Sequence, residues 1–473
     1  LCSEISEKMS LIKSISGIRG TIGGDPGESL SPLDIVKFTS AYATLIKARS
    51  GVKERYKIIV GRDARISGGM VESIVCGTLT ACGLDVISCG LSSTPTVEMA
   101  VIFEEADGGI ILTASHNPKE WNALKLLNEK GEFLSAEDGA DILSIIENND
   151  FHYATVDNIG TLTTKDFTAQ HIEAVMSHPL VNTGAIYRAG YKVVLDPVNS
   201  VGAIVMPKLL EALGVNYVTI NGEPNGNFAH NPEPLPENLT ELSASVIREE
   251  ADLGIAVDPD VDRLALICED GNGFGEEYTL VAVADYILKH KVGATVSNLS
   301  SSRALKDITE AAGGQYYASA VGEVNVVAEM KRVGAVIGGE GNGGTIVPDL
   351  HYGRDALIGT ALFLSYLATE KISASELRKR FPVYYSSKNK IELSPKTDME
   401  KLLSSAKDRY SQHRITDIDG VKIDFDSERK WVHLRKSNTE PIIRIYAEAP
   451  SQESADNIAA EVIEFIKSSI GSA

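Results

Sequence analysis

Thr113-Ala114-Ser115-His116-Asn117-Pro118 follows directly on the apolar run Gly109-Ile110-Ile111-Leu112. A short unbroken apolar run reads as a strand buried on both faces, as in a parallel sheet. The hexapeptide therefore sits where a strand ends and the chain turns, with Asn117 and Pro118 marking the turn. A hydroxyl held beyond the carboxyl end of such a strand is placed for covalent chemistry. The competing reading is a polar turn whose Ser and Thr cap the next helix. Three further motifs bear on the choice.

Asp258-Pro259-Asp260-Val261-Asp262-Arg263 follows a second buried-strand pattern, Leu253-Gly254-Ile255-Ala256-Val257. Carboxylates at alternate positions of a tight loop can converge on one hard cation. Mg²⁺ suits them, because it takes oxygen ligands and shares its sphere with phosphate. Arg263 adds a phosphate-seeking fork beside that cation; the competing reading is a solvated acidic turn. Gly338-Gly339-Glu340-Gly341-Asn342-Gly343-Gly344 can approach a ligand closely, and Glu340 and Asn342 are the groups that read sugar hydroxyls. Alone, the stretch reads as a glycine-rich hairpin. Arg435-Lys436-Ser437-Asn438-Thr439-Glu440-Pro441, with Arg444 beyond it, assembles arginines, hydroxyls, an amide and turn N–H groups into a phosphate cradle. A surface turn with scattered charge is the alternative.

Together and in this order, the four loops resemble the α-D-phosphohexomutases, the superfamily of phosphoglucomutase, phosphomannomutase and phosphoglucosamine mutase. Ser16-Gly17-Ile18-Arg19-Gly20-Thr21 is similar to its N-terminal signature, and Gly61-Arg62-Asp63 to its first-domain motif. Asp196-Pro197-Val198-Asn199-Ser200-Val201-Gly202 resembles its second-domain turn. The resemblance runs nearly end to end. It implies an α/β protein: three topologically similar α/β domains with mixed sheets plus a C-terminal α+β domain, arranged around a central cleft. Motif spacing then divides the chain into 1–160 with the phosphoserine loop, 161–271 with the metal loop, 272–383 with the sugar loop and 384–473 with the phosphate loop.

The resemblance also implies roles. Ser115 works as a phosphoserine, and a hexose 1,6-bisphosphate serves as intermediate and activator. Asp258, Asp260 and Asp262, with Ser115, hold Mg²⁺, and Arg263 sits on the phosphoryl oxygens. Lys125, ten residues past the serine, handles the proton of the attacking hydroxyl. Its pKa is expected to be lowered by the metal and the arginines. Arg19 assists. His116 orients the serine loop or carries a proton, or else makes a structural hydrogen bond within the turn. Glu340 and Asn342 bind the sugar, while Arg435, Ser437, Asn438, Thr439 and Arg444 grip the phosphate that is not reacting.

Many members carry Ser and His where this chain has Asn342 and Gly344. Dual-specificity members carry a lysine near Ser300, and the Ser297-Asn298-Leu299 run is closer to phosphoglucosamine mutases, those of bacteria being the nearest expected. The expected reaction is glucosamine 6-phosphate to glucosamine 1-phosphate, with phosphoglucomutase/phosphomannomutase activity as the alternative. A non-catalytic sugar-phosphate sensor on the same fold would be expected to have lost Ser115, an aspartate or Lys125. A plain phosphatase conflicts with four loops that enclose the site.

Composition sets outer bounds. A chain of 473 residues exceeds what one core usually supports, and 43% hydrophobic with 23% charged residues is an ordinary globular profile. The net charge of −20 argues against nucleic acid and anionic membranes as partners. Small-molecule sugar phosphates remain, met by local positive charge at Arg19, Lys125, Arg263, Arg435 and Arg444. No apolar run reaches membrane-spanning length, and the start lacks the pattern of a secretory signal. Residues 1–8 read as an extension ahead of Met9. Cys2, Cys76, Cys82, Cys89 and Cys268 form no C-x-x-C pair. Buried reduced thiols in a cytoplasmic enzyme, monomer or homodimer, are expected, with packing favoured over a redox role for Cys89.

Strand patterns fall at Tyr56–Val60, Val86–Cys89, Gly109–Leu112, Val193–Leu195, Ala256-Val257 and Val333–Ile337, alternating with helical ones at Pro32–Ala48, Gly69–Cys82, Met206–Leu213 and Asn238–Glu249. The last ninety or so residues differ. Strands are expected at Ile391–Leu393, Gly420–Asp424, Trp431–Arg435 and Ile442–Glu448, with helices at Lys396–His413 and Ser454–Ser468.

Overall fold

The computed structural model describes residues 10–14, 17–393, 398–437 and 442–471. They form two compact units: the chain up to Tyr286 with Asn342–Arg378, and Ile287–Gly341 with Lys379 onward. The expected architecture is present, with three α/β domains followed by a domain built on an antiparallel sheet.

In the first unit, Gly108–Leu112 runs parallel to Lys57–Arg62 and antiparallel to Trp121–Leu127. Every residue of this central strand is buried, which is why its sequence shows no alternation. Gly108 is needed here: a Cβ would meet the Tyr42 hydroxyl oxygen at 2.2 Å. That hydroxyl donates to the carbonyls of Gly109 and Leu127 at 3.1 and 2.7 Å. The same sheet extends through Asp85–Leu91 to Leu162–Thr164 on one side and through Gly17–Thr21 to Ile12–Ser14 on the other. Its helix Pro32–Arg49 starts with a capping box between Ser31 and Asp34 and with proline in the first turn.

The second sheet repeats the plan. Leu253–Val257 is buried throughout, lies parallel to Lys192–Asp196 and antiparallel to Leu264–Cys268, and Asn216–Thr219 adds a parallel edge. In both sheets a fully buried strand delivers its loop at the carboxyl end, so the serine and aspartate loops start from rigid supports. Each Ile or Leu fully buried in such a strand contributes about 1.5–3 kcal/mol.

In the second unit, Ala294–Asn298 lies parallel to Gln315–Ser319 and Ile337–Glu340. The antiparallel sheet runs Tyr385–Glu392, Ile442–Ala449, Lys430–Lys436, Val421–Phe425 and Arg414–Thr416, beside helices Met399–Arg409 and Gln452–Gly471.

Some expectations shift. Val333 ends helix Glu323–Val333 rather than beginning a strand, because Gly334 takes the left-handed cap (φ 63°) and returns its N–H to Met330. The strand begins at Ile337. Pro236–Asn238 is a short 3₁₀ turn and the helix starts at Thr240. Gly202–Ala212 begins earlier than expected and carries Pro207 within it. Residue Lys396 lies outside the described residues, and that helix begins at Met399. Among the described residues, Cys76, Cys82, Cys89 and Cys268 are buried and unbridged. Burial pushes the Cys76 and Cys89 thiols up to about 12, as inert packing residues.

Candidate active site

Ser115 stands at the tip of its loop with φ 48°, a left-handed backbone uncommon for serine. Arg65 holds it there. This fully buried guanidinium pairs with Asp63 at 3.0 Å. It also donates to the carbonyls of Ser115 (2.5 Å), Asn117 (2.6 Å), Pro118 (2.6 Å) and Trp121 (3.0 Å). Asp63 accepts in turn from Thr113 Oγ1 at 2.6 Å, and Thr113 Oγ1 accepts from the Ser115 N–H at 2.9 Å. Arg65 was missed in the sequence. Its only signal is its place two residues beyond Gly61-Arg62-Asp63.

The aspartate loop meets the serine. Ser115 Oγ donates to Asp258 Oδ2 at 2.7 Å across 143 residues of chain. Asp258 Oδ1 accepts from the N–H groups of Asp262 and Arg263, both at 3.1 Å, which folds the loop around its own first carboxylate. Val261 has φ 63°, strained for a β-branched residue. Thr94 pins the loop from the first domain, giving its hydroxyl to Asp260 Oδ2 (2.6 Å) and its N–H to the Asp260 carbonyl (2.9 Å). Ser200, from the Asp196–Gly202 turn, donates to the Pro259 carbonyl at 2.7 Å.

All three aspartates are fully buried, with carboxylate oxygens within 4.8 Å of one another. Burial and the like charges of Asp262 and Asp260 push the Asp258 carboxyl well above the usual carboxylate range. Asp260 moves the other way: burial opposes its charge, but Lys125 outweighs it. Asp260 Oδ1 and Asp262 Oδ1 are buried without a hydrogen-bond partner. Hard oxygen donors, crowded negative charge and two unspent oxygens fit a divalent cation such as Mg²⁺.

Lys125 lies 2.7 Å from Asp260 and 3.5 Å from Asp262. Its pKa is raised. Burial acts to lower it, but the two aspartates it pairs with prevail over burial and over Arg354. Arg263 Nη1 reaches Glu233 at 3.3 Å, while its buried Nε has no hydrogen-bond partner and lies 4.0 Å from Asp258 and Asp262. Arg19 Nη1 is 3.5 Å from Asn117 Oδ1. Burial, then the cations of Arg263 and Arg19, hold His116 down to about 2, so it is uncharged, with Nδ1 3.4 Å from Ser115 Oγ. Burial and Arg263 likewise lower Arg19. These cations crowd one another beside the Ser115 hydroxyl, an arrangement suited to a dianionic phosphoryl group.

Asn342 belongs to the same unit and accepts from the Gly344 N–H at 3.3 Å. A second cluster, His171, His351 and Asp355, also has ligand atoms within 4.8 Å. They are already engaged with each other, as both imidazoles bond Asp355 Oδ2, at 2.9 and 3.2 Å.

Glu340, Arg435, Ser437 and Arg444 lie in the other unit. Glu340 Oε1 accepts from Asn298 Nδ2 at 2.8 Å and from the Gly322 N–H at 3.2 Å. Asp419 Oδ2 accepts from the Val321 N–H (3.0 Å), next to the Gly322 that meets Glu340, and forms an ion pair with Arg435 Nε (2.7 Å). Ser300, where a lysine was looked for, bonds His433 Nδ1 at 2.9 Å. Arg435 and Arg444 are direct cross-strand partners, and Lys390 faces Arg444 on the next strand. The row sets three cations side by side, one of them already paired with Asp419. Asn438 and Thr439 lie outside the described residues.

Comparisons with known proteins agree along most of the chain. Family models for phosphoglucomutase/phosphomannomutase match domain by domain: alpha/beta/alpha domain I at residues 11–153, domain II at 169–272, domain III at 275–384 and the C-terminal domain at 390–465. A phosphoglucomutase/phosphomannomutase of Thermococcus kodakarensis is 38% identical over 92% of this chain and 95% of its own. A probable phosphoglucosamine mutase of Pyrococcus abyssi is 33% identical over 96% and 97%. These relatives are archaeal, where bacterial ones were expected. A solved phosphoglucomutase/phosphomannomutase family protein from Burkholderia thailandensis shares the fold, with a TM-score of 0.83 at 24% identity over 98% of both chains. Among the described residues, no helix is long and apolar enough to cross a membrane.

Proposed function

The chain belongs to the phosphoglucomutase/phosphomannomutase family of phosphohexomutases, and is therefore an isomerase; from that premise we propose that it converts glucosamine 6-phosphate to glucosamine 1-phosphate through a phosphoserine at Ser115. The observation that carries the phosphoserine is the buried Ser115 hydroxyl held against Asp258 amid Arg19, Arg263 and Lys125. In the first half-reaction the bond from Ser115 Oγ to phosphorus breaks as one sugar hydroxyl bonds to that phosphorus, giving a hexose 1,6-bisphosphate. In the second, the sugar's other phosphoryl group returns to Ser115. In-line transfer of this kind depends on positioning and charge neutralisation.

Asp258, Asp260 and Asp262, with Ser115, would hold Mg²⁺, which supplies Lewis-acid neutralisation of the phosphoryl oxygens. Arg263 and Arg19 orient the phosphoryl group, and Lys125 carries the proton exchanged with the sugar hydroxyl. His116, uncharged, orients the serine loop. Glu340 and Asn342 read the sugar, and Arg435, Ser437, Asn438, Thr439 and Arg444 hold the distal phosphate. The four domains divide near residues 160, 271 and 383. The enzyme works in the cytoplasm as a monomer or homodimer, a point for light scattering.

The sugar assignment is supported by the Ser297-Asn298-Leu299 run and by relatives carrying the phosphoglucosamine mutase name. The higher identity of the Thermococcus phosphoglucomutase/phosphomannomutase favours glucose or mannose phosphate as the second reading. The test is the specificity constant for glucosamine, glucose and mannose 6-phosphates with the cognate bisphosphate present. Glucosamine phosphate should lead. If glucose or mannose phosphate leads by more than about tenfold, ~1.4 kcal/mol, the sugar assignment is wrong; turnover of none of the three overturns the mutase reading.

A further inference from the structure

Two residues that no motif singled out as ligands complete the aspartate loop. Arg354 Nη2 lies 2.5 Å from Asp262 Oδ2, with both side chains buried. The arrangement mirrors the one at Asp260, whose Oδ2 takes Lys125 at 2.7 Å. In each aspartate a cation holds Oδ2, with Lys125 also 3.5 Å from Asp262 Oδ2, while Oδ1 is buried without a hydrogen-bond partner, Arg263 Nε lying 4.0 Å from that of Asp262. Lys125 and Arg354 thus engage one oxygen of their carboxylates and leave the other unspent.

Arg354 is itself rigidly placed. It forms an antiparallel bridge with Ile346. The next residue, Asp355, caps helix Ala356–Glu370 by accepting the Leu357 N–H through Oδ1 at 2.8 Å, while Oδ2 takes both buried imidazoles. The Ala356 N–H reaches the Val261 carbonyl in the middle of the aspartate loop at 3.2 Å. Gly344 makes room: a Cβ there would meet Arg354 Cδ at 2.4 Å and Cγ at 3.1 Å. Gly344 thus leaves its space to Arg354.

We propose that Arg354 is a positioning residue of the cation site, holding Asp262 Oδ2 so that Oδ1 faces the metal, with Gly344 as the space that permits it. This rests on the reading of Asp258, Asp260 and Asp262 as the cation's ligands. Removing a group that orients a metal ligand typically weakens metal affinity about 10- to 100-fold.

The experiment measures the Mg²⁺ dependence of turnover, and Mg²⁺ binding by calorimetry, in wild type, R354A, R354K, G344A, G344A/R354A and D262A. The half-saturating Mg²⁺ concentration should rise about tenfold or more in R354A, and less in R354K. Turnover at saturating Mg²⁺ should recover in both. G344A should shift the same way, and the double variant should go no further than R354A, because the added methyl acts only by displacing Arg354. Unchanged or tighter Mg²⁺ binding in R354A, a loss that excess Mg²⁺ does not restore, or additive effects in the double variant would overturn the proposal while D262A still loses its Mg²⁺ response. If D262A keeps a normal Mg²⁺ response, the ligand reading itself falls, and this proposal with it.

Discussion

Arg65 donates to the carbonyl oxygen of Ser115 at 2.5 Å, so a buried cation grips the main chain of the candidate nucleophile and leaves its hydroxyl to Asp258. One guanidinium bonds four carbonyls, three in the turn and the fourth, that of Trp121, at the start of the strand that follows. Replacing Arg65 with Met should cost about 3–5 kcal/mol, because Asp63 is left buried and unpaired. Lysine should restore part of the stability but little of the turnover, since it lacks the fork that sets the loop. Urea unfolding and initial rates on the same three proteins check this. Turnover retained in a destabilised Arg65→Met protein would show that the loop shape does not depend on Arg65.

Ser115 should carry a phosphoryl group that exchanges with substrate. Intact mass before and after incubation with a hexose bisphosphate reads it directly, and Ser115→Ala should abolish both the mass change and mutase turnover. Full activity in that variant rules out the phosphoserine route.

The two candidate phosphate sites should separate kinetically. Arg435 would grip a phosphate that is bound alike in ground and transition states, so Arg435→Ala should mainly raise KM. Arg263, with its unpartnered Nε beside the aspartates, should mainly set kcat. Steady-state kinetics of the two alanine variants decides, and the reverse pattern means the loops have been assigned backwards.

Alkaline stability should depend on His351. Burial opposes its charge, but the hydrogen-bonded Asp355 and the Glu98 carboxylate 3.3 Å from Nδ1 push it up to about 10, from 6.5. The folded state thus keeps a proton that the unfolded chain releases above about pH 6.5. The stabilisation is complete below that pH and is lost as the pH rises through about 10. The urea midpoint of the wild type should fall over this window, and that of His351→Gln should fall less. Parallel curves for the two proteins would show that His351 is not the group responsible.

The sequence carried the parts of this molecule that are local. Unbroken apolar runs marked Gly109–Leu112 and Leu253–Val257 as buried strands, and the loops after them bear Ser115 and Asp258. Arg65, Thr94 and Arg354 were invisible because each acts across the fold, on Ser115, Asp260 and Asp262, from segments with no periodicity or turn chemistry to advertise it. Lys390 was hidden likewise, since only strand register sets it opposite Arg444. Lys125 is placed the same way, paired with two aspartates more than a hundred residues away in the chain, 135 in the case of Asp260.

The 143 residues between Ser115 and Asp258 also bear on the chain's birth. During synthesis the N-terminal domain emerges and folds first. It then displays the serine, Lys125 and the arginine staple, but none of the acidic loop. Thr94 and Lys125 wait with their bonding capacity unspent until Asp260 is made and docked. A chain that stops short of the acidic loop would therefore hold Ser115 without its Asp258 partner, and Thr94 and Lys125 without Asp260. The pairing of Ser115 with Asp258 thus marks a molecule in which the second domain has been made and docked onto the first.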